Sequence, residues 1–140
     1  MPQFGTRSKN NLSQCHHILQ EIANRAIEKI DFTVICGTRG KAEQEAAFKA
    51  GNSKAHFGQS PHNYTPAVAF DFIPSPFTDA DWDRTDKFKA IADKLLESAK
   101  ELGYGDCVRW GGDWNRNGST KDEKFVDTPH FELHPWRDYI

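Results

Sequence analysis

The sequence predicts an α+β fold, with a small, mostly antiparallel sheet and flanking helices. Helix-like and strand-like segments alternate along the chain in the order α-β-α-β-α-β-β, a pattern that favours this class. The chain has 140 residues, of which 37% are hydrophobic, enough for one core but not for two. No repeat, linker or low-complexity tract divides it, so we expect a single domain over residues 1–140.

Three segments have the periodicity or composition of helices, at residues 11–29, 41–50 and 84–102. The apolar stripe of the first, at 3-4-3-4 spacing, consists of Leu12, Cys15, Leu19, Ile22 and Ala26. This spacing is typical of one continuous amphipathic helix. Gly51 and Gly103 follow the second and third segments, where glycine commonly ends a helix.

Four short apolar or β-branched runs predict strands, at residues 32–36, 67–73, 107–110 and 130–133. Between the last two runs lies a polar loop, residues 111–124, of about 14 residues. A loop of that length in a compact domain is usually functional or holds an ion.

The charge balance excludes some classes of function. Eighteen basic residues against twenty acidic ones give a net charge of −2, without the basic footprint of a nucleic-acid-binding protein. No apolar stretch approaches the length of a transmembrane helix. Residues 1–10 lack the apolar core of a secretory signal, so we expect the chain to begin in the cytoplasm.

Cysteine usage points away from a cysteine metal site. Cys15, Cys36 and Cys107 are widely spaced and form no Cys-x-x-Cys pair. We expect three reduced thiols that act as small apolar side chains. Any metal is therefore expected to be held by His, Asp or Glu.

Asp71 is the first candidate for a metal ligand, together with His62. Asp71 lies inside an apolar run between Phe70 and Phe72, where a carboxylate is costly unless it is paired or binds a cation. His62 lies in the preceding loop. A structural Asp paired with an Arg or a backbone amide is an equally good interpretation of Asp71 alone.

A second group of candidates surrounds His130, which begins the last apolar run. Asp127 precedes it by three residues across a Pro turn, and Glu132 shares its strand face. Two His and one Asp on separate elements can supply the three ligands of a catalytic zinc, leaving a position for water. A nearby carboxylate can then act as general base. A partly buried structural His is the alternative interpretation of His130.

The polar loop carries an incomplete calcium motif. From residue 113 the pattern Asp-x-Asn-x-Asn-Gly matches the first six positions of an EF-hand loop, but Lys124 stands at the twelfth. The calcium donors would be Asp113, Asn115, Asn117, Asp122 and Glu123. An Asn/Gly turn with solvated charges is the alternative.

Several short motifs in order along the chain resemble one family. They are Gly37-Thr38-Arg39 with Gln44, Ser60-Pro61-His62 with Ala69 and Asp71, Gly111-Gly112-Asp113-Trp114, and Asp127-Thr128-Pro129-His130. The set resembles the zinc peptidases that comprise D-alanyl-D-alanine carboxypeptidases, vancomycin-resistance dipeptidases and phage L-alanyl-D-glutamate endopeptidases. It is most similar to the phage endolysin branch, over residues 10–133. The resemblance implies a hedgehog-like, D-Ala-D-Ala peptidase-like fold that forms one zinc peptidase catalytic domain.

The resemblance also implies roles for individual residues. It implies His62, Asp71 and His130 as zinc ligands, Asp127 as the catalytic carboxylate, Arg39 as the oxyanion-stabilising and substrate-binding cation, and Ser60 as a substrate-binding residue. The chain departs from the family because the segment between His62 and Asp71 is two residues longer and lacks a Gly. We expect the loop before Pro66 to absorb this insertion.

The function that the resemblance implies is zinc-dependent peptidoglycan hydrolysis by an endolysin. The bond would be a stem-peptide bond, L-Ala–D-Glu, cut by metal-activated water. A D-Ala-D-Ala carboxypeptidase or dipeptidase, and a non-catalytic wall-peptide or calcium-binding module, are the alternatives. We expect Zn²⁺ as cofactor, with Ca²⁺ as a second candidate ion. The expected partner is the peptidoglycan stem peptide, bound by a monomer without nucleic acid or an integral membrane segment. Made in the host cytoplasm without a signal peptide, the protein would reach the periplasmic wall after membrane permeabilisation.

Overall fold

The sheet and helices follow the predicted order along the chain. The computed structural model describes residues 2–121 and 126–140. The helices are α1 (Thr6–Ser13), α2 (His17–Ala26), α3 (Lys41–Lys49) and α4 (Thr85–Glu101). The strands are β1 (Phe32–Cys36), β2 (Ala69–Pro74), β3 (Val108–Trp110) and β4 (His130–Leu133). Short 3₁₀ turns cover Pro61–Asn63, Asp79–Asp83, Gly105–Cys107 and Trp136–Tyr139.

The four strands form one sheet in the order β1-β2-β4-β3, and every pairing is antiparallel. The predicted α+β class is therefore confirmed. The register places Asp71 of β2 opposite His130 of β4 and, across an irregularity in β1, opposite Cys36. Neighbouring strands thus bring a carboxylate, an imidazole and a thiol to the same part of the sheet.

One face of the sheet carries the core. Phe70, Phe72 and Phe131 are fully buried there, and Phe72 packs against Phe88 of α4 at a ring-centroid distance of 6.0 Å. Side chains alternate between the two faces of a strand. The residues between these phenylalanines therefore lie on the opposite face, and Asp71 is one of them.

The single helix predicted over residues 11–29 is wrong, because the chain forms α1 and α2 with a break between them. At the break Cys15 forms an isolated parallel bridge with Ala67. The amide of His16 donates to the Ala67 carbonyl at 2.8 Å, and the Ala67 amide donates to the Gln14 carbonyl at 2.8 Å. These long-range hydrogen bonds replace the helical ones, so tertiary pairing outweighs local helix propensity here.

The remaining boundaries agree with the predictions to within two residues, which is the usual uncertainty of element ends. The three cysteines are free thiols. Burial raises the pKa of the Cys15 thiol to about 12, and the charges of Cys36 and Asp71 add to this effect. Over residues 2–121 and 126–140, the structure contains no helix that is both long and apolar enough to cross a membrane.

Candidate active site

A cleft of about 660 Å³ lies over the sheet face opposite the core. It is lined by all the residues to which the sequence assigned zinc-binding, catalytic or substrate-binding roles: Arg39, Ser60, His62, Asp71, Asp127 and His130. These residues come from two strands, a 3₁₀ turn and three connecting segments. The fold therefore gathers, in one cleft, groups that lie up to 91 positions apart in the sequence.

Three potential ligand atoms converge at the floor of this cleft. His62 Nε2 lies 3.3 Å from Asp71 Oδ1 and 3.3 Å from His130 Nδ1. His130 Nδ1 lies 3.5 Å from Asp71 Oδ1. Ligands bound tetrahedrally to zinc at about 2.0–2.1 Å are separated by about 3.3–3.4 Å. The spacing of the three atoms therefore fits a single zinc ion.

Asp71 Oδ1 gives an independent indication that this point suits a cation. The atom is buried, and within the described part of the chain it accepts no hydrogen bond of acceptable geometry. A buried carboxylate oxygen without a donor is costly. A metal ion coordinated between Asp71, His62 and His130 would satisfy it.

Both imidazole rings are held so that the converging nitrogens can serve as ligands. His62 Nδ1 lies 2.8 Å from the Gly37 carbonyl oxygen, which can only accept, so this nitrogen carries a proton and, in the neutral ring that binds a metal, Nε2 keeps its lone pair. His130 Nε2 donates to Glu132 Oε1 at 2.7 Å, which leaves Nδ1 for a metal. Glu132 Oε2 in turn accepts from Arg109 Nη2 at 2.9 Å. Hydrogen bonds of this kind orient metal-binding histidines.

Cys36 also approaches this group of residues. Cys36, His62 and Asp71 each offer one ligand atom, and these atoms lie within 4.8 Å of one another. Cys36 Sγ is 3.9 Å from His62 Nδ1, the nitrogen that donates to Gly37. The thiol thus stands beside the protonated side of the ring, whereas His130 faces the side that has the lone pair. We therefore consider His62, Asp71 and His130 the better ligand set.

The charge of Asp71 and the charges of His62 and His130 stabilise one another. Burial disfavours the charged form of both histidines, but the charge of Asp71 outweighs it and raises the pKa of His62 to about 10. Burial is likewise outweighed at His130, where the close approach of Asp71 and the hydrogen bond to Glu132 raise the pKa to about 9. Burial opposes ionisation of Asp71, yet the charge of His62 holds its pKa below the usual range. The site thus favours positive charge next to Asp71.

Asp127 stands in the same cleft in a different electrostatic environment. Burial raises the pKa of its carboxyl, and the negative charge of Asp71 adds to this, while His130, His62 and Arg39 oppose it. Its amide donates to the Gly111 carbonyl at 2.8 Å, and the Gly111 amide donates to the His130 carbonyl at 2.7 Å. A Cβ at Gly111 would collide with the carbonyl oxygen of Asp127, so the close approach of these segments requires glycine.

Arg39 lies next to Asp71 in the same cleft. Its Nη2 lies 3.5 Å from Asp71 Oδ2, and its Nη1 donates to Gln44 Oε1 at 3.2 Å. Its backbone amide donates to the His62 carbonyl at 2.7 Å. Ser60 is buried, and its Oγ accepts from the His62 amide at 3.2 Å, which caps the turn that carries His62.

Gln44 connects several walls of the cleft. Its side chain is fully buried, and Oε1 accepts from Asn63 Nδ2 at 3.0 Å as well as from Arg39. Its Nε2 donates to Ser53 Oγ at 2.9 Å and to the Ala55 carbonyl at 2.7 Å. The sequence motif included Gln44 without a role. Its function as a link between α3, the His62 turn and the 52–59 segment became evident only from the structure.

The proposed calcium donors are described only in part, because Asp122 and Glu123 lie outside the described residues. The Asp113 carboxylate accepts from the amides of Asn117 at 3.1 Å and Gly118 at 2.6 Å. Asn117 Oδ1 accepts from the Ser119 amide at 2.9 Å. These contacts are those of a tight polar turn, and the loop's calcium affinity stays a prediction.

Two imidazoles and a carboxylate around one point, with another carboxylate in the same cleft, are a donor set typical of mononuclear metal-dependent hydrolases. The comparisons with known proteins agree with a hydrolase that cleaves peptide bonds. A family model described as phage L-alanyl-D-glutamate peptidase matches residues 1–134, and the chain belongs to that family.

Two relatives show how far the similarity extends. The chain is 32% identical over 136 residues to the L-alanyl-D-glutamate peptidase of Escherichia phage T5, covering 94% of this chain and 97% of that protein. It is similar to the crystal structure of the Serratia marcescens L-Ala D-Glu endopeptidase ChiX, with a TM-score of 0.71 and 30% identity. That match covers 97% of this chain and 92% of that one. Both similarities span the sheet and the cleft.

Proposed function

We propose that the chain is a zinc-dependent endopeptidase that hydrolyses the L-Ala–D-Glu bond of peptidoglycan stem peptides. The observation that carries the proposal is the convergence of His62 Nε2, Asp71 Oδ1 and His130 Nδ1 within 3.5 Å, in the cleft that also holds Asp127. Membership of the phage L-alanyl-D-glutamate peptidase family supports the choice of bond. The family and both relatives favour this bond over the D-Ala–D-Ala bond.

The ligand group would hold zinc through His62, Asp71 and His130. Zinc bound there would lower the pKa of the attacking water and polarise the carbonyl of the scissile amide. The hydrogen bonds to Gly37 and Glu132 keep both imidazoles oriented for this task.

Asp127 is proposed to act as the general base. Its carboxylate would accept a proton from the attacking water and pass it to the leaving amine of D-Glu. A binding module without catalysis would have no use for a partly buried carboxylate beside a metal site, which favours the enzyme. Arg39 is proposed to bind the developing oxyanion with its guanidinium, and Ser60 to contact substrate from the rim of the His62 turn.

Digestion of purified peptidoglycan, followed by mass analysis of the fragments, tests the reaction. We expect glycan strands that keep only L-Ala and peptides that begin with D-Glu. His130→Ala should abolish the release, whereas His17→Ala, an exposed histidine outside the cleft, should leave it unchanged. Release of D-Ala alone, or no peptide release by the wild type, would contradict the proposed bond.

Metal analysis tests the ligand set separately from the reaction. The purified wild type should contain one zinc per chain, and His130→Ala should lose it while His17→Ala keeps it. Full zinc retention in His130→Ala would contradict the assignment.

We propose calcium binding by the 113–123 loop as a second, weaker property. The motif spacing supports it, and Asp113, Asn115 and Asn117 supply oxygen donors that suit calcium. Affinity should be modest, because Lys124 occupies the twelfth position of the motif. Calorimetric titration of calcium into zinc-loaded protein should give heat in the millimolar range. Absence of heat, with activity indifferent to a calcium-selective chelator, would leave the loop as a polar turn.

We further propose that the protein acts as a monomer on the periplasmic wall after membrane permeabilisation. The substrate lies outside the inner membrane, so an enzyme made in the host cytoplasm must cross it. Light scattering after size-exclusion chromatography should give the mass of the monomer. Lysis of bacteria that express the protein in their cytoplasm should require a second protein that permeabilises the membrane.

A further inference from the structure

Trp82 is an exposed aromatic residue at the wall of the active-site cleft. Its exposed fraction is 46%, and it lines the cleft that contains His62 and Asp71. Tryptophan is highly buried on average in folded proteins. A large apolar ring left open beside a catalytic centre commonly marks a binding surface.

The Trp82 indole is held in a fixed orientation. It stacks on the Phe88 ring at 5.9 Å with an interplanar angle of 16°, and it meets Phe77 edge to face at 4.9 Å. Phe88 is fully buried in the first turn of α4. One face of the indole therefore rests on the core, and its exposed part is presented to the cleft without the cost of ordering a mobile side chain.

The short 3₁₀ turn that carries Trp82 is itself anchored. Asp81 Oδ2 accepts from the Thr78 amide at 2.9 Å, and Asp81 Oδ1 accepts from Lys87 Nζ at 2.6 Å. The neighbouring side chain thus ties the turn both to its own start and to α4. The position of the indole follows from these contacts.

Trp114, which also lines the cleft, is used differently. Its ring packs against the Arg109 guanidinium at 4.9 Å and lies 5.6 Å from the His130 ring. It contacts the proposed ligand His130 and Arg109, the partner of Glu132. Trp82 instead contacts core aromatics, so its exposed surface is available for substrate.

The chemistry of the proposed substrate identifies an occupant, and this step rests on the proposed function. In peptidoglycan the L-Ala nitrogen is joined to the lactyl group of N-acetylmuramic acid. The sugar is therefore one residue from the scissile bond, within about 10 Å at roughly 3.5 Å per residue plus the lactyl link. The C–H bonds on one side of a pyranose carry partial positive charge, which suits the negative face of an indole. We propose that Trp82 forms a sugar subsite that binds the N-acetylmuramic acid of the glycan strand.

Two matched substrates test the subsite: an N-acetylmuramoyl tripeptide, and the same tripeptide with an N-acetyl group in place of the sugar. Trp82→Ala should lower kcat/KM on the sugar-bearing substrate about tenfold and change it less than twofold on the sugar-free one. Trp82→Phe should recover most of the loss. Phe48→Ala, an exposed aromatic outside the cleft, should alter neither.

The sugar-free substrate also reports whether Trp82→Ala folds. An equal loss of kcat/KM on both substrates would show that Trp82 contacts the peptide or supports the fold. An unchanged kcat/KM on both would show that Trp82 does not contact the substrate. Either result would overturn the proposed subsite. Titration of N-acetylmuramoyl-L-alanine into the Asp127→Asn variant measures binding without turnover. Wild-type protein that cleaves neither substrate would refute the proposed function. In that case, sugar binding that Trp82→Ala weakens about tenfold would still support the subsite.

Discussion

At the residue scale, two of the carboxylates in the cleft, Asp71 and Asp127, have pKa values shifted in opposite directions. Asp71 lies between two imidazoles, and although burial opposes its ionisation, the charge of His62 lowers its pKa. Asp127 has its pKa raised by burial and then by the charge of Asp71. Environments that move two pKa values apart commonly separate two catalytic roles. Asp71 is therefore suited to permanent charge as a ligand, and Asp127 to proton transfer.

Asp127→Asn removes the proposed base and keeps the size of the side chain. We expect turnover of the N-acetylmuramoyl tripeptide to fall about a thousandfold, since general base catalysis accelerates a reaction by a factor on the order of 10²–10⁴. Zinc content and thermal stability should match the wild type, because Asp127 is not among the converging ligands. Near-normal turnover would refute the role.

Glu132→Gln tests the hydrogen bond that orients His130. The amide can still accept from Nε2, but it loses the charge that Glu132 shares with Arg109. We expect about a tenfold weaker zinc affinity, since such supporting groups contribute 10- to 100-fold. Competition with a chromophoric chelator measures it. Glu101→Gln, an acid on α4 outside the cleft, should leave the affinity unchanged, and an equal effect of both variants would contradict the assignment.

At the scale of elements, sequence periodicity located apolar faces better than it located breaks. Leu12, Cys15 and Leu19 are all buried as the stripe predicted, although α1 ends before Cys15 and α2 begins after it. The break depends on hydrogen bonds with Ala67, more than 50 positions away. A local pattern contains no information about such a partner.

The same reasoning separates the predictable part of the site from the rest. His62, Asp71 and His130 stood out because polar residues within or beside apolar strands need a partner. The place of the two extra residues before Pro66 stays a prediction, but the longer segment leaves the His62 and Asp71 side chains 3.3 Å apart. The proximity of Cys36 depends on strand register, which the sequence does not reveal.

Gln44→Ala tests whether α3 positions the cleft walls. The change leaves Arg39, Asn63 and the Ser53–Ala55 segment without their shared partner. We expect the free energy of unfolding to fall by about 1–3 kcal/mol. We also expect a higher KM, because Arg39 and the cleft wall lose their alignment, while zinc content is retained.

Glu45→Ala is the matched control for this change. Glu45 is the next residue on α3, is partly exposed, and contacts His56 and the Phe57 amide rather than Arg39. It should affect KM much less than Gln44→Ala does. A Gln44→Ala variant that loses stability with an unchanged KM would reduce Gln44 to a structural residue.

At the scale of the whole molecule, the proposed ligands join parts of the chain that are distant in sequence. His62 comes from a 3₁₀ turn, Asp71 from the central strand β2 and His130 from its neighbour β4. A metal held by all three cross-links the turn to the sheet. A metal that bound the native state and not the unfolded chain would stabilise the fold.

Zinc removal should therefore lower the melting temperature of the entire domain. With free zinc at 100 times its Kd, linkage predicts about 2.7 kcal/mol of stabilisation, which corresponds to about 9 °C for a chain of this length. Calorimetry of chelated and zinc-loaded protein measures the difference. The shift should disappear in His130→Ala and persist in His17→Ala, because only the former lies in the ligand group. Equal melting temperatures with and without zinc would mean that the metal does not bind His62, Asp71 and His130 together.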